Sequence, residues 1–279
     1  MNVRLEDIDF PLINESIDLS DNDEDEEVLQ LDPSILKHIN DLTALQGERN
    51  RLLHDRSVLS EEERNEKPIS VDEFKHIFSE DWQLSQFWYS TAFAEHFAAI
   101  LYKAAQTLEC ARPTIAFISS PTAYVAFLAT SPDVRTVCNP VLLEYDDRFA
   151  MLPGRFVKYD IDDPTQVPAD LHQGVDMAIA DPPFLNRATT TKVCKTLEHV
   201  MKRDGGKVLL LSSHGPDLAE EDIIRIYGET LVTINSSFGD SGSKSRCCRM
   251  EKQSLVVGHD GGRLSNAFGC WANWEVPDS

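Results

Sequence analysis

The sequence predicts an α/β fold: a mostly parallel sheet with helices on both faces, entered through an N-terminal helical extension. Three observations predict it. From residue 114 onward short apolar runs recur, among them Thr114-Ile115-Ala116-Phe117-Ile118 and Val175-Asp176-Met177-Ala178-Ile179-Ala180. Such runs are continuous rather than alternating, so both of their faces must be covered. Segments with helical spacing separate them, and strands that alternate with helices pair in parallel. Finally, several runs stop in an acidic residue, and one stops in Asp181-Pro182-Pro183-Phe184. That ending is poor core and suits a site.

The elements follow in chain order. Residues 1–31 read as an acidic tail, because Asp21-Asn22-Asp23-Glu24-Asp25-Glu26-Glu27 repels itself and has nothing to bury. It is a solvated arm or a docking segment for a basic partner. Asp32-Pro33 opens a helix through about residue 55, with Ile35, Leu36, Ile39, Leu42, Leu45, Leu52 and Leu53 at roughly helical spacing. That stripe packs on the domain or binds another protein; packing is preferred. Residues 61–70 read as a charged linker, so the extension spans 32–70 and the main domain 71–279. Within it, helices are expected at 87–108, 123–128, 189–202 and 218–227, the last capped by Gly228. Strands are expected at 114–118, 140–143, 156–159, 175–180, 207–211, 231–235 and 267–274. Residues 239–262 are rich in Ser, Gly and charge around Arg246-Cys247-Cys248-Arg249. They read as a flexible insert, or else as a lid on a substrate.

Composition narrows the function. The net charge of the 279 residues is −21. Residues 1–81 hold 23 acidic and 8 basic side chains, and the remainder 24 and 18, so neither part promises a basic surface. Duplex nucleic acid is a poor substrate for such a chain, since phosphate neutralisation supplies most of that binding. A basic protein partner fits better. No apolar run spans a bilayer, the N-terminus lacks the apolar core of a signal peptide, and the six cysteines show no C-x-x-C pair or zinc spacing. The expectation is a reduced, cytoplasmic protein with no membrane contact and no metal.

In a doubly wound sheet, ligands lie outside the carboxyl ends of the strands. Four successive strand ends here carry suitable groups: Ser119-Ser120-Pro121, then Glu144-Tyr145-Asp146, then Asp160, then Asp181-Pro182-Pro183-Phe184. Small residues at Ser119, Ser120 and Pro121 let backbone approach a cofactor. Glu144 is placed to accept ribose hydroxyls, with Asp146 as an assistant or merely a helix-start acid, and Asp160 to accept an adenine amino group. No G-x-G-x-x-G turn is present to cradle a pyrophosphate, which favours phosphate-free S-adenosylmethionine over NAD or ATP. Asp181 and the carbonyl near Pro182 can orient an amine. Phe184 can cover its stem or its cationic form. Gln86, Trp88 and Tyr89 line the mouth of the pocket or start a core helix; Tyr89 is assigned to substrate binding.

Gln83-Leu84-Ser85-Gln86-Phe87-Trp88-Tyr89-Ser90, Ser119-Ser120-Pro121, Leu143-Glu144-Tyr145-Asp146-Asp147-Arg148-Phe149 and Asp181-Pro182-Pro183-Phe184 together resemble the lysine methyltransferases of translation elongation factor 1-alpha. The likeness runs from about residue 81 to 274. It implies a seven-stranded class I methyltransferase fold and methyl transfer from S-adenosylmethionine to a lysine nitrogen of elongation factor 1-alpha. A monomer is expected. The Asp-Pro-Pro-Phe motif also occurs in adenine-N6 methyltransferases, so that activity and a non-catalytic scaffold stand as alternatives. The insert at 239–262 is longer than the family pattern, which puts substrate contacts there in doubt.

Overall fold

The computed structural model describes residues 32–203, 206–214, 217–235, 249–259 and 268–276. The expected tail, and Cys247 and Cys248 of the insert, lie outside them. The chain divides into two compact units, 1–44 and 45–279. Helix α1 (Pro33–Ser57) is opened by Asp32, whose carboxylate accepts from the Ser34 amide at 2.7 Å. Ile35, Leu36, Ile39 and Leu42 are exposed. Within the second unit, Leu52 and Leu53 pack against the core.

The expected linker is partly helical. Helix α2 (Glu61–Glu66) is closed by a reciprocal cap: the Glu63 amide donates to Ser60 Oγ at 3.2 Å, and the Ser60 amide donates to Glu63 Oε2 at 2.8 Å. The Ser-x-x-Glu spacing that makes this cap was legible in the sequence. Helix α3 (Val71–Ile77) follows. Helix α4 (Thr91–Gln106) starts later than the aromatic run suggested, because Ser90 caps it. The segment bearing Gln86, Trp88 and Tyr89 is therefore free of the helix.

From there strands and helices alternate: β1 (Thr114–Ile118), α5 (Pro121–Ala129), α6 (Val134–Val137), β2 (Asn139–Glu144), β3 (Arg155–Lys158), β4 (Met177–Ala180), α7 (Arg187–Val200), β5 (Lys207–Ser213), α8 (Glu220–Asn235), β6 (Glu251–Gln253) and β7 (Phe268–Ala272). One expectation is corrected here. The strand expected at 231–235 is the last part of α8, which runs straight through Gly228. Tyr227, Thr230, Leu231 and Ile234 are buried at helical spacing, and that burial outweighs the roughly 1 kcal/mol penalty of a mid-helix glycine. The seventh strand is instead β6, inside the segment expected to be a flexible insert.

The sheet order is β3-β2-β1-β4-β5-β7-β6, parallel from β3 through β5, with β7 antiparallel to both neighbours. This is the seven-stranded class I methyltransferase order. Adjacent strand residues divide between two cores. Ile115, Phe117, Ile179 and Leu209 face α3, α4 and α5, while Ala116, Ile118, Ala178 and Leu210 face α7 and α8. Both faces are covered, which is why the strands read as unbroken apolar runs. The strand order reverses between β1 and β4, where a crevice must open.

Tight packing also occurs at the other end. Gly154, with φ +84°, would place a Cβ 2.3 Å from the Tyr124 hydroxyl oxygen. That hydroxyl donates to the Pro153 carbonyl at 2.9 Å. Gly154→Ala is expected to cost about 1–3 kcal/mol of stability, read as a lower denaturant midpoint with unchanged slope.

Candidate active site

A cavity of about 530 Å³ opens at the carboxyl ends of β1 to β4. Backbone bonds carry the ladders past the strands and hold the tips side by side. The Ser119 amide donates to Leu143 O at 2.9 Å, the Asp181 amide to Ile118 O at 3.0 Å, and the Tyr159 amide to Glu144 O at 3.0 Å. The four sequence-marked ends thus reach one cavity: Ser119, Ser120, Pro121, Glu144, Asp160, Asp181, Pro182 and Phe184 all line it. Ser119 turns the chain with φ +52°, a left-handed conformation uncommon outside glycine. Ser120 is buried, and its Oγ has no partner among the described residues. A buried hydroxyl without a partner, on the wall of a cavity, is a group that a ligand can satisfy.

Glu144 Oε1 accepts from the backbone amides of Tyr145 at 2.8 Å and Asp146 at 3.3 Å. Those bonds fix the carboxylate and leave Oε2 for a ligand. Burial pushes the group up to about 7, against the pull of the two amides, with the Asp146 charge adding to the rise and Lys158 opposing it. Asp160, exposed at the rim, takes the Asp162 amide on Oδ1 at 2.8 Å and so is held in a turn. Asp146 departs from expectation. It does not line the cavity. Its carboxylate forms an ion pair with Arg148 at 2.6 Å and accepts from Gln86 Nε2 at 3.2 Å, so it braces the wall from behind. Asp146 Oδ1 also accepts from the Arg148 amide at 2.9 Å, the helix-start role that the sequence left open for it.

Asp181 Oδ2 accepts a hydrogen bond from the Tyr89 hydroxyl. Tyr89 is 1% exposed, packed against Phe93 and His259, and burial above all holds its phenol well above the usual range, as a donor. Its hydroxyl is committed to Asp181, so Tyr89 supports the acid rather than offering a free hydroxyl to a substrate. Burial pushes Asp181 up to about 7, against the Tyr89 hydrogen bond, with the charge of Glu144 adding to the rise. Phe184, with φ +55° and 51% exposed, stands at the rim; its amide reaches Ser85 Oγ at 3.4 Å. Trp88 lines the cavity but spends its indole N–H on Phe78 O at 2.8 Å. Sequence reasoning missed Tyr145, Tyr159, His259 and Phe268, which also line it. An aromatic just after a strand end was the available signal for the tyrosines. His259 comes from the segment taken as an insert and had none, while Phe268 opens the strand expected at 267–274, where nothing marked it as facing a cavity.

Charge decides what the cavity takes. Its described wall carries Glu144, Asp160, Asp162 and Asp181, and no lysine or arginine. Asp162 is paired with Lys192. Such a wall suits a cation and an uncharged sugar, and repels phosphate. No cluster of residues able to hold a metal occurs among the described residues. No described helix is long and apolar enough to cross a membrane.

The raised acids have a measurable consequence. Each titrates higher folded than unfolded, so its contribution to stability is complete below the unfolded value, about 4, and is lost as the pH rises through 7. The ligand-free protein is expected to weaken between pH 5 and pH 8. Glu144→Gln should flatten that slope and gain up to roughly 3 kcal/mol at pH 8, as read from denaturant midpoints.

Comparison with known proteins shows the family. Residues 80–276 match a family model described as "Probable N6-adenine methyltransferase". The Saccharomyces cerevisiae protein-lysine N-methyltransferase EFM5 is 31% identical over 214 residues, covering 73% of this chain and 76% of that one. The Caenorhabditis elegans protein-lysine N-methyltransferase M142.8 is 34% identical over 199 residues, covering 71% and 79%. The chain belongs to the protein-lysine N-methyltransferase family. Human EEF1A lysine methyltransferase 1, another member, is 30% identical over 181 residues, 63% of this chain and 77% of that one. The family model keeps an adenine label, while these curated relatives are named for lysine. Among solved structures, the plantazolicin methyltransferase BpumL, in complex with SAH, aligns over 82% of this chain and 98% of its own, at 11% identity and a TM-score of 0.39.

Proposed function

We propose that this chain methylates a lysine side chain of translation elongation factor 1-alpha. The observation that carries the reading is the acid-walled cavity whose described wall holds no lysine or arginine, joined to Asp181-Pro182-Pro183-Phe184 at its floor and rim. S-adenosylmethionine, when bound, supplies a methyl group on a cationic sulfur. Glu144 Oε2 and Ser120 Oγ would hold its polar groups, with Ser119 and Pro121 letting the backbone come close and Asp160 at the outer edge. The lysine must arrive neutral, yet its free pKa is about 10.4. Burial in this cavity lowers it. Asp181 Oδ1, the oxygen that Tyr89 leaves unbonded, can take the proton briefly, since this acid titrates close to neutrality. Once that proton has passed to solvent, the Asp181 carboxylate and the Pro182 carbonyl aim the lone pair and stabilise the positive charge growing on nitrogen. Phe184 covers the lysine stem and the cationic product.

Tyr89→Phe tests the support role. Loss of the hydroxyl removes the bond that lowers Asp181, so Asp181 titrates higher. The acid limb of the pH–rate profile is expected to move to higher pH, with turnover reduced roughly tenfold at pH 7.

The reading carries a cytoplasmic setting and a monomer acting on a protein. Its test is methyl transfer from radiolabelled cofactor to purified elongation factor 1-alpha, with the modified residue located by mass spectrometry. Label on a lysine supports it. Label only on an adenine of added nucleic acid would replace it with the adenine-N6 reading.

A further inference from the structure

A second cavity, of about 780 Å³, lies at the opposite end of the sheet, where β2 and β3 begin. In a chain of net charge −21 its wall gathers four arginines: Arg64 from α2, Arg112 before β1, Arg135 from α6 and Arg155 at the start of β3. Arg155 is neutralised by a bidentate pair with Asp170, at 2.5 and 3.0 Å. The other three have no carboxylate partner among the described residues. Arg112 donates to the backbone carbonyls of Cys138 at 3.3 Å and Arg135 at 2.8 Å. Arg135 donates to the side chain and carbonyl of Asn65. These bonds fix two guanidiniums without cancelling their charge.

Arg64 is the anomaly. Its Nε is buried and has no hydrogen-bond partner among the described residues, and its charge already repels that of Arg56. A guanidinium held this way costs free energy unless something completes it. Asn65, beside it, is occupied: its side-chain oxygen also accepts from the Gly154 amide at 2.9 Å. The missing partner is therefore an acceptor from outside.

We propose that this arginine cavity is a binding site for the phosphate group of a small molecule. Three guanidiniums without an ion pair, against the one carboxylate of Glu61 on the same wall, ask for more acceptor oxygens and more charge than one further carboxylate brings, and phosphate meets both requirements. Phe156 and Pro140 on the same wall can cover an organic body attached to that phosphate. The site is separate from the methyl-transfer cavity, whose acidic wall rejects the same ligand.

The test is calorimetry on the full chain at low salt, with saturating S-adenosylhomocysteine to keep nucleotide out of the other cavity. Pyrophosphate and ADP are the probes, and hexaglutamate is the carboxylate control. Binding of either phosphate probe below about 1 mM supports the site. ADP alone identifies a nucleotide as the source of the phosphate; pyrophosphate alone identifies the free anion. Arg64→Gln should weaken the binding at least roughly tenfold with an unfolding midpoint no lower than the parent's, because no hydrogen bond to a described residue rests on that Nε. Three results would overturn the proposal: no binding of either probe by about 5 mM, unchanged affinity in Arg64→Gln, or hexaglutamate binding as tightly as pyrophosphate.

Discussion

Asp181→Ala is expected to bind S-adenosylmethionine within roughly threefold of the parent and to lose turnover by about two decades or more. The two quantities separate because the groups that anchor a cofactor and the group that orients the amine sit on different strand tips. Glu144 ends β2 and Ser120 follows β1, whereas Asp181 follows β4, three residues before Phe184. Removing the carboxylate also strands the buried Tyr89 hydroxyl, at about 1–3 kcal/mol of stability. Asp181→Asn controls for this. It keeps an acceptor for Tyr89 and removes only the charge, so it should fold like the parent and still fail to turn over. Single-turnover transfer of labelled methyl, alongside calorimetric affinity, reads both. An asparagine variant with parental turnover would remove Asp181 from the mechanism.

The second large effect is at Glu144. Glu144→Ala should weaken cofactor binding by roughly 10- to 100-fold, since a charged acceptor buried against hydroxyls contributes about 1.5–3 kcal/mol. Turnover at saturating cofactor should stay within a few-fold, because this acid touches no reacting atom. Glu144→Gln, which keeps one acceptor, should fall between. Equal affinity across the three proteins would move the ribose elsewhere.

Much of this architecture was legible. The parallel core announced itself because strands covered on both faces must be apolar throughout, and β1, β2, β4 and β5 fall within two residues of their expected bounds at most ends. Strand tips were legible for a related reason: an acid cannot remain inside such a strand, so its position marks where the strand leaves the core. Where local pattern was ambiguous, long-range packing decided. Leu231 and Ile234 fit a strand or a helix locally, and only α7 alongside chose helix. Asp146 and Glu144 are two residues apart and alike in type; the Arg148 guanidinium and the Gln86 amide, the latter from far along the chain, decided which one faces away. His259 joined the site through a bridge to Tyr89 that no local pattern encodes.

The absence of lysine and arginine from the described wall of the methyl-transfer cavity also bears on how a catalytic cycle ends. On the proposed reading, the negative lining holds a sulfonium by its charge. Once the methyl has left, the by-product is an uncharged thioether, and the same lining loses its electrostatic hold on it while keeping its hold on fresh donor. The chamber therefore discriminates between charged and spent reagent without a moving part, and inhibition by accumulated thioether should deepen as salt is added and the donor loses its advantage.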